Sequence, residues 1–260
     1  MTRRRADTLL AERGLAPSRT AAAATVRAGR VRLGKHGAAI EKPSELVSED
    51  AELVIEEGEE FVSRGGIKLK NALDELELEV EGRRCLDVGA STGGFTDCLL
   101  QRGAAMVIAV DVGYGQLDWR LRQDPRVLVM ERLNARYLGH SHLPFRPELI
   151  TVDVSFISLA KLMPPVVASG ADRFDLLGLV KPQFELGKEK VGKGGVVRDA
   201  DDRREAIRKV AEAARQEGLA VRGLASSGLP GPKGNRETFV WASWNGDAID
   251  LDAALAKVEP

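Results

Sequence analysis

The chain has 260 residues, 43% hydrophobic and 30% charged, with a formal net charge of −1, which at roughly 100–200 residues per domain allows one large domain or a small and a medium one. Its longest uninterrupted apolar run, Ala104 to Val110, falls far short of the ~20 residues of a bilayer-spanning helix, and no apolar stretch of signal length follows the basic start Arg3-Arg4-Arg5. Two cysteines, Cys85 and Cys98, build neither a disulfide framework nor a four-cysteine zinc site. A cytoplasmic protein with a packed core and no membrane partner is expected.

The near-neutral balance conceals an asymmetry. Residues 1–36 carry nine Lys+Arg against Asp7 and Glu12, residues 37–62 carry one lysine against nine acids, and the remainder balances. An isolated charge run reads as a solvated face, but a basic block that is also periodic points to a nucleic-acid surface. The spacing predicts a short helix from Arg4 to about Ala11 with Leu9 and Leu10 inward, stopped at Gly14. Ser18 can cap a second helix with Ala22 and Val26 on its apolar face and Gly29 at its end. Arg30-Val31-Arg32-Leu33 alternates with period two, as a strand does, and Leu53-Val54-Ile55 supplies another.

This segment resembles the S4 RNA-binding domain through Arg5-Ala6-Asp7, Leu9-Leu10, Gly14-Leu15, Ser18-Arg19, Ala28-Gly29-Arg30-Val31 and Lys42-Pro43-Ser44. The resemblance implies that the second helix and the following strand face RNA phosphates. Arg4, Arg5, Arg19, Arg27, Arg30 and Arg32 are then the RNA-binding candidates, with the acidic stretch Glu49 to Glu60 on the far side.

Residues 60–66, with Ser63-Arg64-Gly65-Gly66, read as a linker between a domain at 1–59 and a second at 67–260. Strands are expected at Arg84–Val88, Met106–Asp111, Val127–Met130, Leu149–Asp153 and Leu176–Val180, alternating with helical stretches. Asp199 or Asp201 opens a long helix with Ile207, Val210, Ala211 and Ala214 on one face, ended by Gly218. Leu219–Leu224 and Thr238–Trp244 complete a closing pair. The alternation predicts an α/β domain, a parallel sheet with helices on both faces.

The first strand runs into Gly89-Ala90-Ser91-Thr92-Gly93-Gly94-Phe95. Glycines let a backbone approach a ligand, and a helix N-terminus offers unpaired N–H groups to an anion. Asp111 ends the next strand 22 residues after Gly89, where an acid can bond ribose hydroxyls. A dinucleotide loop would read Gly-x-Gly-x-x-Gly, and the second glycine is missing here. Asp-x-Gly with a later glycine pair looks more like the S-adenosylmethionine loop of class I methyltransferases. On that reading Gly89, Ser91, Thr92, Gly93, Gly94 and Phe95 hold the methionine half, and Asp111 the ribose.

Four charged residues stand at expected element ends: Lys68, Asp153, Lys181 and Glu237. Ligands of doubly wound sheets sit beyond the carboxyl ends of the strands, so Asp153 and Lys181 should point into one crevice. With Phe61-Val62-Ser63-Arg64-Gly65-Gly66-Ile67-Lys68-Leu69, Asp153-Val154-Ser155-Phe156-Ile157-Ser158-Leu159, Lys181-Pro182-Gln183-Phe184-Glu185 and Gly192-Lys193-Gly194-Gly195-Val196-Val197, nearly the whole chain resembles the TlyA (haemolysin A) family. The resemblance implies an S4 domain joined to an FtsJ-like, class I (Rossmann-like) methyltransferase domain that methylates ribose 2′-hydroxyls of cytidines in ribosomal RNA, 23S and also 16S. It places that family's Lys-Asp-Lys-Glu catalytic tetrad on Lys68, Asp153, Lys181 and Glu237, and an adenine contact on Asn134. Lys181 serves as general base if neutral or stabilises the alkoxide if charged; the sequence leaves both open.

The implied partners are ribosomal RNA and the ribosomal subunits, the free protein is expected to be a monomer, and no metal is expected. Gly187 to Arg198, with Lys188, Lys190, Lys193 and Arg198, reads either as a flap over RNA or as a solvated loop. His140 and His142 lack a third ligand at plausible spacing. Trp241 and Trp244 read as packing residues, and the cysteines as small core residues. Two other readings compete. A non-catalytic ribosome assembly factor does not need the four charged residues, and a pore-forming toxin needs an amphipathic apolar segment that the sequence lacks.

Overall fold

The computed structural model describes residues 3–27, 29–35, 37–55, 60–231 and 233–259, and the chain divides into two compact units after Glu60. Ala28 of the S4-like string and residues 56–59 of the acidic stretch lie outside the described residues.

In the smaller unit, β1 (Arg3–Arg5) leads straight into α1 (Ala6–Glu12), followed by α2 (Arg19–Arg27), β2 (Val31–Leu33), β3 (Leu46–Ser48) and β4 (Leu53–Ile55). The sequence pattern alone would start the first helix at Arg4. Those arginines instead extend to pair with β3, Arg4 opposite Val47, while β2 pairs with β4. Leu9 and Leu10 of α1 and Ala22 and Val26 of α2 meet Val31, Val47 and Leu53 in one small core. Ser18 Oγ accepts from Ala21 N at 3.1 Å, an N-terminal cap for α2.

Residues 61–66 are not a linker. Phe61 is buried in the core of the larger unit, and α3 (Arg64–Leu76) already contains Gly65 and Gly66. A Cβ on Gly66 would overlap the Phe61 ring, so this glycine serves close packing rather than a turn.

The sheet that follows comprises β5 (Arg84–Val88), β6 (Met106–Asp111), β7 (Val127–Glu131), β8 (Leu149–Val152), β9 (Asp175–Val180), β10 (Ala220–Ser226) and β11 (Thr238–Ser243). Its order is β10-β11-β9-β8-β5-β6-β7. The strands β5 to β9 run parallel. β11 lies antiparallel between β9 and β10, so the sheet is mixed rather than wholly parallel. Alternate residues feed two cores. Cys85, Val107, Leu149 and Leu177 face α3 and α4 (Gly94–Gln101), while Leu86, Ile108, Ile150 and Leu176 face α6 (Leu159–Val167) and α8 (Ala200–Gln216). Asp199 caps α8 by accepting from Asp201 N and Asp202 N. The remaining helices are α5 (Trp119–Gln123), α7 (Pro182–Glu185) and α9 (Leu251–Val258). Among the described residues no helix is long and apolar enough to cross a membrane.

Candidate active site

The loop after β5 is shaped by what cannot fit there. Gly89 has φ +88°, and a Cβ on it would overlap the carbonyl of Asp153 on the neighbouring strand end. Gly93 has φ +99°, and a Cβ there would overlap Leu121 of α5. A Cβ on Gly94 would strike Ser63 Oγ and come within 2.8 Å of Gly66 N. The N-terminal turns of α3 and α4 therefore meet through glycines, directly beside the loop.

Asp111 fixes the other side. Its Oδ2 accepts from Ser91 N at 2.8 Å and its Oδ1 from Gly113 N at 2.6 Å. Each carboxylate oxygen keeps further lone-pair capacity for a diol. A cleft of about 520 Å³ opens here, lined by Asp111, Asn134, Asp153 and Phe156. A smaller one of about 200 Å³ is lined by Lys68, Thr92, Gly94 and Phe95. Gly89, Ser91 and Asp153 line both. Asn134 is exposed, and its Oδ1 already accepts from Arg136 N at 3.0 Å. Gly93 lines neither cleft, and the Phe95 ring packs 5.8 Å from that of Phe239. An acid with lone pairs to spare for a diol, a helix N-terminus and a glycine cradle are the groups that could hold S-adenosylmethionine.

Two lysine–carboxylate pairs stand at the carboxyl ends of these strands. Lys68 Nζ lies 2.5 Å from Glu237 Oε2, with both residues buried. Lys181 Nζ lies 2.5 Å from Asp153 Oδ1 and donates to Ser155 Oγ at 3.0 Å. The antiparallel register pairs Thr238 with Val180, which carries Glu237 and Lys181 to adjacent positions just beyond the ladder. Breaking a buried pair by removing one partner costs about 3–5 kcal/mol, because a charge is left without its counter-ion. That cost applies to Lys68–Glu237; Lys181 and Asp153 are half-buried, and two lysine–carboxylate pairs concentrated at one end of the sheet suit chemistry better than they suit stability.

The segments carrying Asp153 and Lys181 are also tied to each other. Glu185 accepts from Ser158 Oγ and Leu159 N, both at 2.6 Å, at the start of α6; burial holds its carboxyl above the ordinary glutamate range. Under the loop, Asp87 is fully buried and accepts from Thr96 Oγ1 at 2.7 Å. Burial pushes this acid up to about 7, whereas burial of the Cys85 thiol raises it to about 12 and keeps it inert. Sequence reasoning uses Asp87 only as the acid of the Asp-x-Gly pattern and gives Ser155 and Glu185 no role, although both lie within the motif strings that mark the site. Trp241 packs, with its Nε1 donating to Asp175 Oδ1 at 2.8 Å.

In the smaller unit, Asp7 gathers two of the candidate arginines. Arg5 pairs with it at 2.7 Å and Arg19 at 3.3 Å, and the bond from Arg5 is the main reason its carboxyl falls to about 2. Arg4 pairs with Glu12 at 2.6 Å and Glu49 at 3.6 Å. Glu49 is thus not on a far side from every candidate arginine. Arg27 is exposed, while Arg30 and Arg32 are half-buried.

Comparison with known proteins agrees with this geometry. The FtsJ-like methyltransferase family matches residues 61–244, and the S4 domain matches residues 4–53. The 16S/23S rRNA (cytidine-2′-O)-methyltransferase TlyA of Mycobacterium tuberculosis is 49% identical over 92% of this chain and 89% of its own length. The chain belongs to the TlyA family of FtsJ-like methyltransferases. Hemolysin A of Brachyspira hyodysenteriae is 38% identical over 75% of this chain and 81% of its own. A solved structure from Streptococcus thermophilus, described under the hemolysin name, superposes with a TM-score of 0.73 at 38% identity, covering 99% of this chain and 96% of that one. In TlyA-family terms the larger unit is the methyltransferase domain and the smaller one the S4 domain.

Proposed function

We propose that the protein transfers a methyl group from S-adenosylmethionine to the ribose 2′-oxygen of cytidines in ribosomal RNA, in the 23S and also the 16S molecule, acting as a monomer in the cytoplasm. The observation that carries this reading is the pair of lysine–carboxylate contacts, Lys68–Glu237 and Lys181–Asp153, flanking a glycine loop that fits the methyl donor. S-adenosylmethionine, when bound, supplies an electrophilic methyl group.

The chain's own residues then handle a proton. Lys181 Nζ is directed to Asp153 and Ser155, which leaves one direction for a ribose hydroxyl. Asp153 lines both clefts and orients that amine towards the methyl donor. Glu237 holds Lys68 against the smaller cleft, where a second positive charge favours the developing 2′-alkoxide. Gly89, Ser91, Thr92, Gly94 and Phe95 hold the amino-acid end, Gly93 shapes the loop beneath them, Asp111 holds the ribose and Asn134 borders the base. Arg4, Arg5, Arg19, Arg27, Arg30 and Arg32 hold RNA phosphates from the S4 unit. The test is to map ribose methylation on purified 23S and 16S RNA, and on the subunits, after treatment with the protein and methyl donor. New 2′-O-methylcytidine is expected in both RNAs; none in either would overturn the proposal.

A further inference from the structure

The basic segment between α7 and α8 takes no part in the mechanism above. Residues 192–196 close into a tight hairpin, in which Gly192 N donates to the Val196 carbonyl at 3.1 Å and Gly195 N to the Gly192 carbonyl at 3.0 Å. Lys188, Lys193 and Arg198 are exposed along it. Its two ends are anchored to α8, by Lys190 against Asp202 and Glu205 and by Arg203 Nη1 donating to the Arg198 carbonyl at 2.6 Å. Its tip is held by Asn235. That residue's Oδ1 accepts from Val197 N at 2.9 Å, and its Nδ2 donates to the Gly195 carbonyl at 2.8 Å.

Asn235 is only 2% exposed, and both ends of its amide are committed to one piece of backbone. Two residues on, Glu237 holds Lys68. Asn235 and Glu237 are buried while Arg236 between them is exposed, the alternation of an extended chain, so the two buried side chains leave the same face. One short segment thus grips the basic hairpin with one residue and half of the lysine–carboxylate set with the next inward-facing one.

We infer that Asn235 is a positioning residue that couples the hairpin 192–197 to the Glu237–Lys68 pair, so that an RNA phosphate held at Lys193 sets the geometry of that pair. The inference rests on the RNA methyltransferase reading proposed above. It assigns the basic segment a role in the rate of transfer, beyond charge attraction alone.

A double-mutant cycle in the full chain tests the coupling, read as the single-turnover rate of methyl transfer to ribosomal RNA with both RNA and S-adenosylmethionine saturating. Lys193→Ala is expected to slow transfer about 10-fold in the natural background but less than about 2-fold when Asn235→Ala is already present, since coupled residues do not act independently. Affinity for S-adenosylmethionine, measured by calorimetry, should be equal in all four proteins, a result that a general loss of structure would not give. Should Asn235→Ala fail to fold, Asn235→Asp completes the cycle; it keeps an acceptor for Val197 N and loses the donor to Gly195. Rates that multiply, a Lys193→Ala variant as fast as the natural protein, or an Asn235 variant at full rate would each overturn the coupling. A natural protein that binds S-adenosylmethionine but methylates no RNA would instead overturn the proposed function, and the coupling with it.

Discussion

At the scale of single residues, the two charged pairs and one buried acid carry separate consequences. Lys181→Ala removes the group proposed to meet the reacting oxygen, so methyl transfer should fall on the order of 10²–10⁴-fold with RNA affinity near normal. Lys181→Arg keeps the charge but cannot give up its proton near neutral pH. Substantial rate in the arginine variant would assign Lys181 to alkoxide stabilisation, and its loss with intact RNA binding would assign it to proton removal. Asp87 is a matter of stability. Its carboxyl lies at about 7 in the folded chain against an ordinary 3.8, chiefly because burial penalises the charge. The folded state therefore holds the proton more tightly, and its contribution is complete below about 4 and lost as pH rises through about 7. Asp87→Asn keeps the shape, can still accept from Thr96, and removes the titration. Denaturant midpoints compared from pH 4 to 8 should show the natural protein falling relative to the asparagine variant across that window. Parallel curves would mean that Asp87 does not titrate there.

At the scale of elements, the meeting of α3 and α4 leaves little room for change. Gly94→Ala would drive a methyl group into Ser63 Oγ and the Gly66 backbone, and backbone cannot move aside as a flexible side chain can. A loss of about 1–3 kcal/mol is expected, along with weaker binding of S-adenosylmethionine, because α3 carries Lys68 and α4 opens at the loop; urea unfolding and calorimetry would measure the two. The sequence makes this region legible only in part. Strands β5, β6, β8 and β9 can be read because each is a short, mainly apolar run buried on both faces, and the edge strand β7 because its apolar run Val127–Met130 is short and bounded by charge. The Ser63-Arg64-Gly65-Gly66 string misleads, since paired glycines signal a turn and equally permit helices to touch. Two three-residue strands, β1 and β3, are about forty residues apart and too short to show a period. Helix α6 contains Pro164 and Pro165, which punctuate a sequence; it forms because Leu159, Leu162, Met163 and Val166 bury together against the sheet. Asn235 is invisible in the sequence for another reason. Its partners are backbone groups about forty residues away, and no side-chain motif records them.

At the scale of the whole molecule, the chain joins a unit rich in arginines to one that carries two lysine–carboxylate pairs at the ends of interior strands of its sheet. In the S4 unit the arginines are not equivalent. Arg5 and Arg19 share Asp7, which orients them and offsets part of their charge, whereas Arg27 stands exposed at the end of α2. Binding to phosphates releases condensed counter-ions, so affinity falls with salt in proportion to the phosphates neutralised. Replacing Arg19, Arg27, Arg30 and Arg32 together by glutamine should lower RNA affinity and reduce the slope of log affinity against log salt by about one for each phosphate that is no longer neutralised. Glutamine keeps much of the length and polarity of the side chains, so packing in the small core is preserved. Affinity for S-adenosylmethionine should stay constant, because the glycine loop and Asp111 belong to residues 61–260. Filter binding across a salt series gives the slope, and calorimetry gives the second quantity. An unchanged slope would mean that these arginines face solvent and that the larger unit alone meets the RNA. A reduced slope with unchanged cofactor binding would assign RNA capture to one unit and methyl transfer to the other.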